Sequence, residues 1–241
     1  MKFKSPINQI SLIKNLIFGM LICLIFQACT AVTDDDLNLG ESRIKIYNAS
    51  PDNSIITFYV NDSLKTPQAL SFSQATNYTN TAAGNHIVYT KLGTSEIPNS
   101  KISFLFQQNK NYSIFISGKI SKDSLVYIST EDNLTAPSAN KAKVRLINAS
   151  PNSPSLDAIF STNLTDSIPN FRNTNFRSGT IYTEFDPGNY MIRMRTVGTN
   201  TAIISGSNLN IAAGKIYTIC VKGLINGNGN FALSTVLISD N

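Results

Sequence analysis

Arg43-Ile44-Lys45-Ile46-Tyr47-Asn48-Ala49-Ser50-Pro51-Asp52 alternates polar and apolar residues, then breaks into a turn. One hundred residues later Lys143-Val144-Arg145-Leu146-Ile147-Asn148-Ala149-Ser150-Pro151-Asn152 does the same. Working outward, the correspondence continues. Ala83-Gly84-Asn85-His86 is echoed by Pro187-Gly188-Asn189-Tyr190 at offset 104, and Asn111-Tyr112-Ser113-Ile114 by Ile216-Tyr217-Thr218-Ile219 at offset 105. Gly118 and Gly223 keep offset 105, and Glu131-Asp132-Asn133 meets Ser239-Asp240-Asn241 at offset 108. An offset that only grows is what short loop insertions in one copy produce. The chain therefore reads as an internal duplication. Each copy spans about 90 to 100 residues, an ordinary domain size and too long for a solenoid unit.

Within each copy the period is that of strands. Besides the opening pair, Ile56-Thr57-Phe58-Tyr59-Val60, His86-Ile87-Val88-Tyr89-Thr90 and Tyr190-Met191-Ile192-Arg193-Met194-Arg195 alternate imperfectly, while Ile114-Phe115-Ile116 reads as a strand buried on both faces. Glycine, proline or asparagine punctuates every 8 to 12 residues or so, the rhythm of a sandwich. Charged residues are only 15%, and β-branched and small polar residues abound, as strands and turns require. The expected fold is all-β: two tandem immunoglobulin-like β-sandwich domains, 43–136 and 141–241, joined across Pro137-Ser138-Ala139-Asn140.

The segment ahead of them reads differently. Lys2, Lys4 and Lys14 precede the apolar run Leu16 to Phe26. As a helix those eleven residues would reach about 16 Å, short of the roughly 30 Å hydrocarbon core. A basic stretch followed by such a run reads as a secretory signal, residues 1–28; an uncleaved anchor is the other reading. The run ends Phe26-Gln27-Ala28-Cys29, which resembles a bacterial lipobox. Ala28 fills the small position, while Phe26 and Gln27 depart from its commonest residues. The resemblance implies cleavage before Cys29 and lipid attachment to it, giving an outer membrane lipoprotein; an ordinary cleaved signal is the alternative. Residues 29–42 carry Asp34, Asp35 and Asp36 with no apolar period and read as an acidic tether. The acidic cluster resembles the surface-export signal of Bacteroidota lipoproteins; a plain solvated linker is the alternative.

The formal charge of +5 owes three lysines to the signal; without it 17 basic residues face 15 acidic ones. No basic stripe suggests nucleic acid as a partner. Of three cysteines only Cys220 lies within the two copies, where it reads as a small buried hydrophobe. His86 is the single histidine, so neither a histidine-based triad nor a zinc site has its ligand set. No phosphate-binding loop, nucleophile elbow or metal motif occurs. The expectation is no enzyme, metal or cofactor. The alternative is an extracytoplasmic hydrolase, for example a glycan-directed one, with a carboxylate site, for which Glu184 and Asp157 are the candidates by position.

The two opening motifs, Asn48-Ala49-Ser50-Pro51-Asp52 and Asn148-Ala149-Ser150-Pro151-Asn152, together with the late Ala213-Gly214-Lys215-Ile216-Tyr217-Thr218 through Gly223, resemble the DUF4397 family of bacterial extracytoplasmic domains. The first copy carries the late motif in worn form, Asn109-Lys110-Asn111-Tyr112-Ser113 through Gly118. The resemblance, to a lipoprotein of Bacteroidota with two such domains, implies fold class and compartment but no chemistry. In the motif loops, Asn48, Ser50, Pro51, Asn148, Ser150 and Pro151 suit a preorganised turn or a ligand-binding loop. Asp62-Ser63-Leu64, Asp123-Ser124-Leu125 and Asp166-Ser167-Ile168 fit the O-glycosylation pattern of Bacteroidota, which marks Ser63, Ser124 and Ser167. The expected role is binding or structural, with the membrane reached through the lipid and an envelope protein or glycan as partner.

Overall fold

The computed structural model describes residues 39–52, 54–120, 125–162 and 169–241. Cys29, Ser124 and Ser167 lie outside the described residues. Residues 39–241 form one compact unit. Its regular structure is strand throughout, apart from short 3-10 turns such as Gly229–Phe231, and no helix among the described residues is long and apolar enough to cross a membrane.

The first half contains β1 (Glu41–Asn48), β2 (Ile56–Val60), β3 (Ser63–Leu64), β4 (Thr79–Ala82), β5 (Gly84–Leu92), β6 (Ser95–Glu96), β7 (Ile102–Phe106), β8 (Asn111–Ser117) and β9 (Val126–Glu131). The second contains β10 (Ala142–Asn148), β11 (Leu156–Ser161), β12 (Phe171–Thr174), β13 (Ser178–Gly179), β14 (Thr183–Phe185), β15 (Gly188–Thr196), β16 (Ala202–Ile211), β17 (Ile216–Lys222) and β18 (Ser234–Ser239).

Each half is a sandwich of two sheets, and no sheet draws described strands from both halves. In the first half, β4-β1-β8-β9 faces β3-β2-β5, with β6 and β7 both pairing with β5. In the second, β10-β17-β18, edged by β13 and β14, faces β12-β11-β15-β16. The opening strand runs parallel to the late strand in both copies, with Lys45 opposite Ser113 and Arg145 opposite Thr218. The remaining ladders named in those sheets are antiparallel.

Alternation along the strands builds the cores. Ile44, Ile46, Tyr112, Ile114 and Ile116 point into the first sandwich with Phe58, Val88 and Phe106. Val144, Leu146, Tyr217, Ile219 and Val221 point into the second with Leu156, Phe160 and Ile192. The opposite face of these central sheets is not left to water. Tyr47, Ala49, Phe115, Val126 and Ile128 from one half, with Ile147, Ala149 and Cys220 from the other, form a third buried cluster. The double burial expected of Ile114-Phe115-Ile116 has this cause: the two flanking residues serve the sandwich and Phe115 serves the seam between the halves. The same face buries Lys45 and Arg145, whose alternation in sequence reads as that of solvent-facing residues.

Candidate functional site

The Asn-Ala-Ser-Pro motif is a fastener turned inward. Asn48, Ser50, Asn148 and Ser150 are all fully buried. Asn48 Nδ2 donates to the Leu70 carbonyl at 2.9 Å, and its Oδ1 accepts the Ser50 N–H at 3.0 Å. Asn148 repeats this with the Thr174 carbonyl at 3.1 Å and the Ser150 N–H at 3.1 Å. Ser50 Oγ donates to the Gly118 carbonyl at 2.8 Å and Ser150 Oγ to the Gly223 carbonyl at 2.8 Å. The motif thus ties the first strand's exit to the end of the late strand. Gly118 and Gly223 hold φ of 84° and 83°, in the left-handed region open to glycine without a side-chain penalty. Pro51 is buried and Pro151 half-buried.

Other sequence candidates fall apart in space. Ser63 is exposed on β3, just past a two-residue turn in which Asn61 and Asp62 have φ of 43° and 64°. Such a turn matches the twist of a hairpin, and Tyr89 Oη donates to Asp62 Oδ1 at 2.7 Å. His86 is half-buried, with Nδ1 2.7 Å from Asn61 Nδ2. Asp157, on β11, accepts the Asn173 N–H at 3.1 Å and lies 3.6 Å from Arg195 Nε. Glu184, on β14 in the other sheet, accepts the Ser138 N–H at 2.7 Å; that bond holds its pKa below the ordinary value. Burial pushes the Cys220 thiol up to about 12, which keeps it protonated and unreactive. Among the described residues no cluster of three or more His, Cys, Asp or Glu is placed to hold a metal.

Two features of the seam are the ones sequence reasoning missed. The first is a buried charge network. Arg145 Nη2 meets Asp132 Oδ1 at 2.5 Å, with side chains 2% and 0% exposed. Lys45 Nζ meets Asp240 Oδ1 at 3.1 Å. Each base belongs to one copy and each acid to the other, so the two pairs are related by a pseudo-two-fold. Their surroundings repeat as well. Tyr78 Oη and Ser113 Oγ donate to Asp132 Oδ2 at 2.5 and 2.6 Å; Tyr182 Oη and Thr218 Oγ1 donate to Asp240 Oδ2 at 2.9 and 2.6 Å. Lys45 lies 4.5 Å over the Tyr78 ring and Arg145 4.5 Å over the Tyr182 ring. Burial, with the carboxylates close by, holds the Tyr78 phenol far above its usual range; burial does the same for Tyr182.

The second feature is a cavity of about 590 Å³ at one end of the seam. The first half lines it with Asp52, Ile55 and Phe72, and the second with Lys222, Phe231 and Ser234. Phe72 and Phe231 stack at a tilt, centroids 5.2 Å apart, and Lys222 Nζ lies 4.6 Å over the Phe72 ring.

Fold and seam together define a duplicated all-β sandwich protein whose halves are joined by a buried polar lock. The family model described as "Domain of unknown function (DUF4397)" matches residues 42–159, so that stretch carries the DUF4397 domain. The match takes in the first copy and runs on through β10 into β11 of the second. No curated protein matches the chain. Several solved structures are similar at low identity. The Bacillus anthracis TIE protein is 10% identical with TM-score 0.24, over 76% of this chain and 34% of its own. A structure of α-glucan binding by a streptococcal virulence factor is 11% identical with TM-score 0.23, over 75% and 93%. A candidate cell adhesion protein from Bacteroides eggerthii is 11% identical with TM-score 0.21, over 84% and 95%. The chain thus spans about a third of the first of these proteins.

Proposed function

We propose that this chain is an exported lipoprotein of the bacterial cell envelope, of the Bacteroidota type, held in the outer membrane through lipid on Cys29. Its two copies, 43–136 and 141–241, form a rigid tandem of DUF4397-like domains that binds or scaffolds rather than catalyses. One observation carries the rigid-tandem reading: both cross-copy ion pairs are buried, so the halves present a fixed combined surface instead of two beads on a string. The address rests on the sequence alone, on the basic stretch, the short apolar run, the lipobox-like Phe26-Gln27-Ala28-Cys29 and the acidic tether. A non-catalytic role is supported by the internal engagement of Asp157 and Glu184, the two acids that sequence position favours. Envelope protein or glycan is the proposed partner class, and Ser63, Ser124 and Ser167 are proposed glycosylation sites, of which Ser63 is exposed on a hairpin.

The test is palmitate labelling and membrane fractionation of the wild type and Cys29→Ala in cells. Loss of label with release from membranes is the expected result; full membrane retention of the variant would overturn lipidation. Crosslinking on intact cells followed by identification of bound proteins addresses the partner.

A further inference from the structure

The seam cavity is lined by a largely covered lysine whose ammonium has little protein compensation. Lys222 is 9% exposed. Among the described residues its ammonium makes one hydrogen bond, to Ser234 Oγ at 3.2 Å, and no ion pair. The Phe72 ring covers one side of it. An ammonium carries three donors, and a charge taken from water is costly unless it is paired. Burial holds the Lys222 pKa below the ordinary lysine value, consistent with that shortfall.

The same corner is where the duplication breaks. Lys222 stands at the position of Ser117 in the first copy, which is fully buried and satisfied by donating to the Ala149 carbonyl at 2.6 Å. Phe231 lies in the stretch where the offset between copies grows from 105 to 108, the site of the second copy's extra residues. Phe72 has its counterpart in Phe176, but Lys222 and Phe231, which the second copy brings to this cavity, have no like residue in the first.

We propose that the cavity binds a small monocarboxylic acid with an apolar body, its carboxylate on Lys222 Nζ and its body against Phe72, Phe231 and Ile55. A volume of about 590 Å³ is ordinary for a small-molecule site. The choice of a single negative charge follows from Asp52, which lines the same cavity and whose Oδ1 accepts the Ser54 N–H at 3.1 Å. A dianion such as phosphate would face that carboxylate. A neutral apolar ligand would leave the ammonium as it is, and a carboxylate supplies the charge-assisted bond that the protein does not. This inference is independent of the envelope reading, which turns on labelling in cells.

The test is titration of the purified full chain by calorimetry and saturation-transfer NMR. The probes are acetate, octanoate and 3-phenylpropionate, with 3-phenylpropionamide and inorganic phosphate as controls. Saturable binding of the two larger acids is expected, tighter than acetate, with the amide weaker than its acid by about tenfold or more. Lys222→Met keeps the apolar stem and removes the charge; it should lose that acid-over-amide preference. Phe231→Ala should reduce the gain from acetate to 3-phenylpropionate. The inference is overturned if no monocarboxylate binds, if acid and amide bind equally to the wild type, or if phosphate binds as tightly as the acids. Should Lys222→Met fail to fold, the wild-type acid-to-amide ratio and Phe231→Ala decide the matter alone.

Discussion

Arg145 with Asp132 and Lys45 with Asp240 are the same contact made twice, and the copies have not kept it alike. Acid, tyrosine and hydroxyl recur in both: Asp132, Tyr78 and Ser113 on one side, Asp240, Tyr182 and Thr218 on the other. Only the base differs. The planar fork of Arg145 reaches Asp132, Thr218 Oγ1 at 2.8 Å and the Glu131 carbonyl at 3.4 Å. Lys45 reaches Asp240 and the Ser239 carbonyl at 2.7 Å. Guanidinium binds several acceptors in fixed directions, whereas an ammonium is a point charge on a flexible stem. The lock is therefore symmetric in its acceptors and graded in its donors, which makes the two ends separable by mutation.

The largest expected effect tests whether the seam is a self-complementary surface. Residues 39–136 alone would expose Tyr47, Phe115 and Ile128 and present Lys45 beside Asp132 on the same face. In the intact chain each base pairs with the acid of the other copy, so two such fragments should meet as an isologous dimer. Sedimentation should show a dimer at micromolar concentration; a stable, well-folded monomer would count against the surface being sticky enough to hold the halves. Next comes Arg145→Met, which leaves Asp132 buried without its base and should cost about 3–5 kcal/mol in urea unfolding. Lys45→Met should cost less, because Lys45 makes fewer contacts and is slightly more exposed than Arg145. The reverse ranking would mean that Arg145 is not the principal donor of the lock.

Alkali attacks the seam and the first sandwich. Cys220 has a folded pKa of about 12 against 9.0 in the unfolded chain, and Tyr127 about 12 against 10.0; Tyr47, Tyr78 and Tyr182 are raised further, by burial. Every one of these groups binds its proton more tightly when folded. Their contribution is fully present below about pH 9 and is lost as pH climbs from there through the folded values. Thermal unfolding should be flat from pH 7 to 9 and fall steeply above 10, with the phenolate absorbance of these four tyrosines appearing only on unfolding. Phenolate absorbance rising in full while the protein is still folded would contradict the burial of these rings.

How much of this was legible depends on what a residue's neighbours in sequence reveal. The strand period places Ile44, Ile46, Val144 and Leu146 inward because their partners lie in the same copy. Duplication shows in the motif because Asn48 and Asn148 make the same local bonds. The seam was hidden because Lys45 and Arg145 obey the rule for solvent-facing positions, and nothing local distinguishes water from another sheet. Two signals existed: Phe115 and Cys220 are apolar on the face that should be polar, and Asp132 and Asp240 recur at matching ends. The cavity was harder still. Phe72 and Phe231 are far apart in the chain, and Lys222 stands out only when set beside Ser117.

The smallest expected effect concerns a pair that only one copy has. Lys110 and Glu131 lie 2.6 Å apart, with side chains 44% and 47% exposed. The second copy places Lys215 and Ser239 at the matching positions, so the acid is missing there. Glu131→Ser makes the first copy like the second and removes the pair, while the backbone carbonyl that accepts from Arg145 stays in place. An exposed ion pair is worth about 0–1 kcal/mol and is screened by salt. The change should thus fall at the edge of detection in urea unfolding and shrink further when the salt is raised. A loss as large as that of Arg145→Met would mean that an exposed pair within one copy matters as much as the buried lock between the copies. A loss near zero separates the two: what the duplication kept on both sides carries the stability, and what it kept on one side does not.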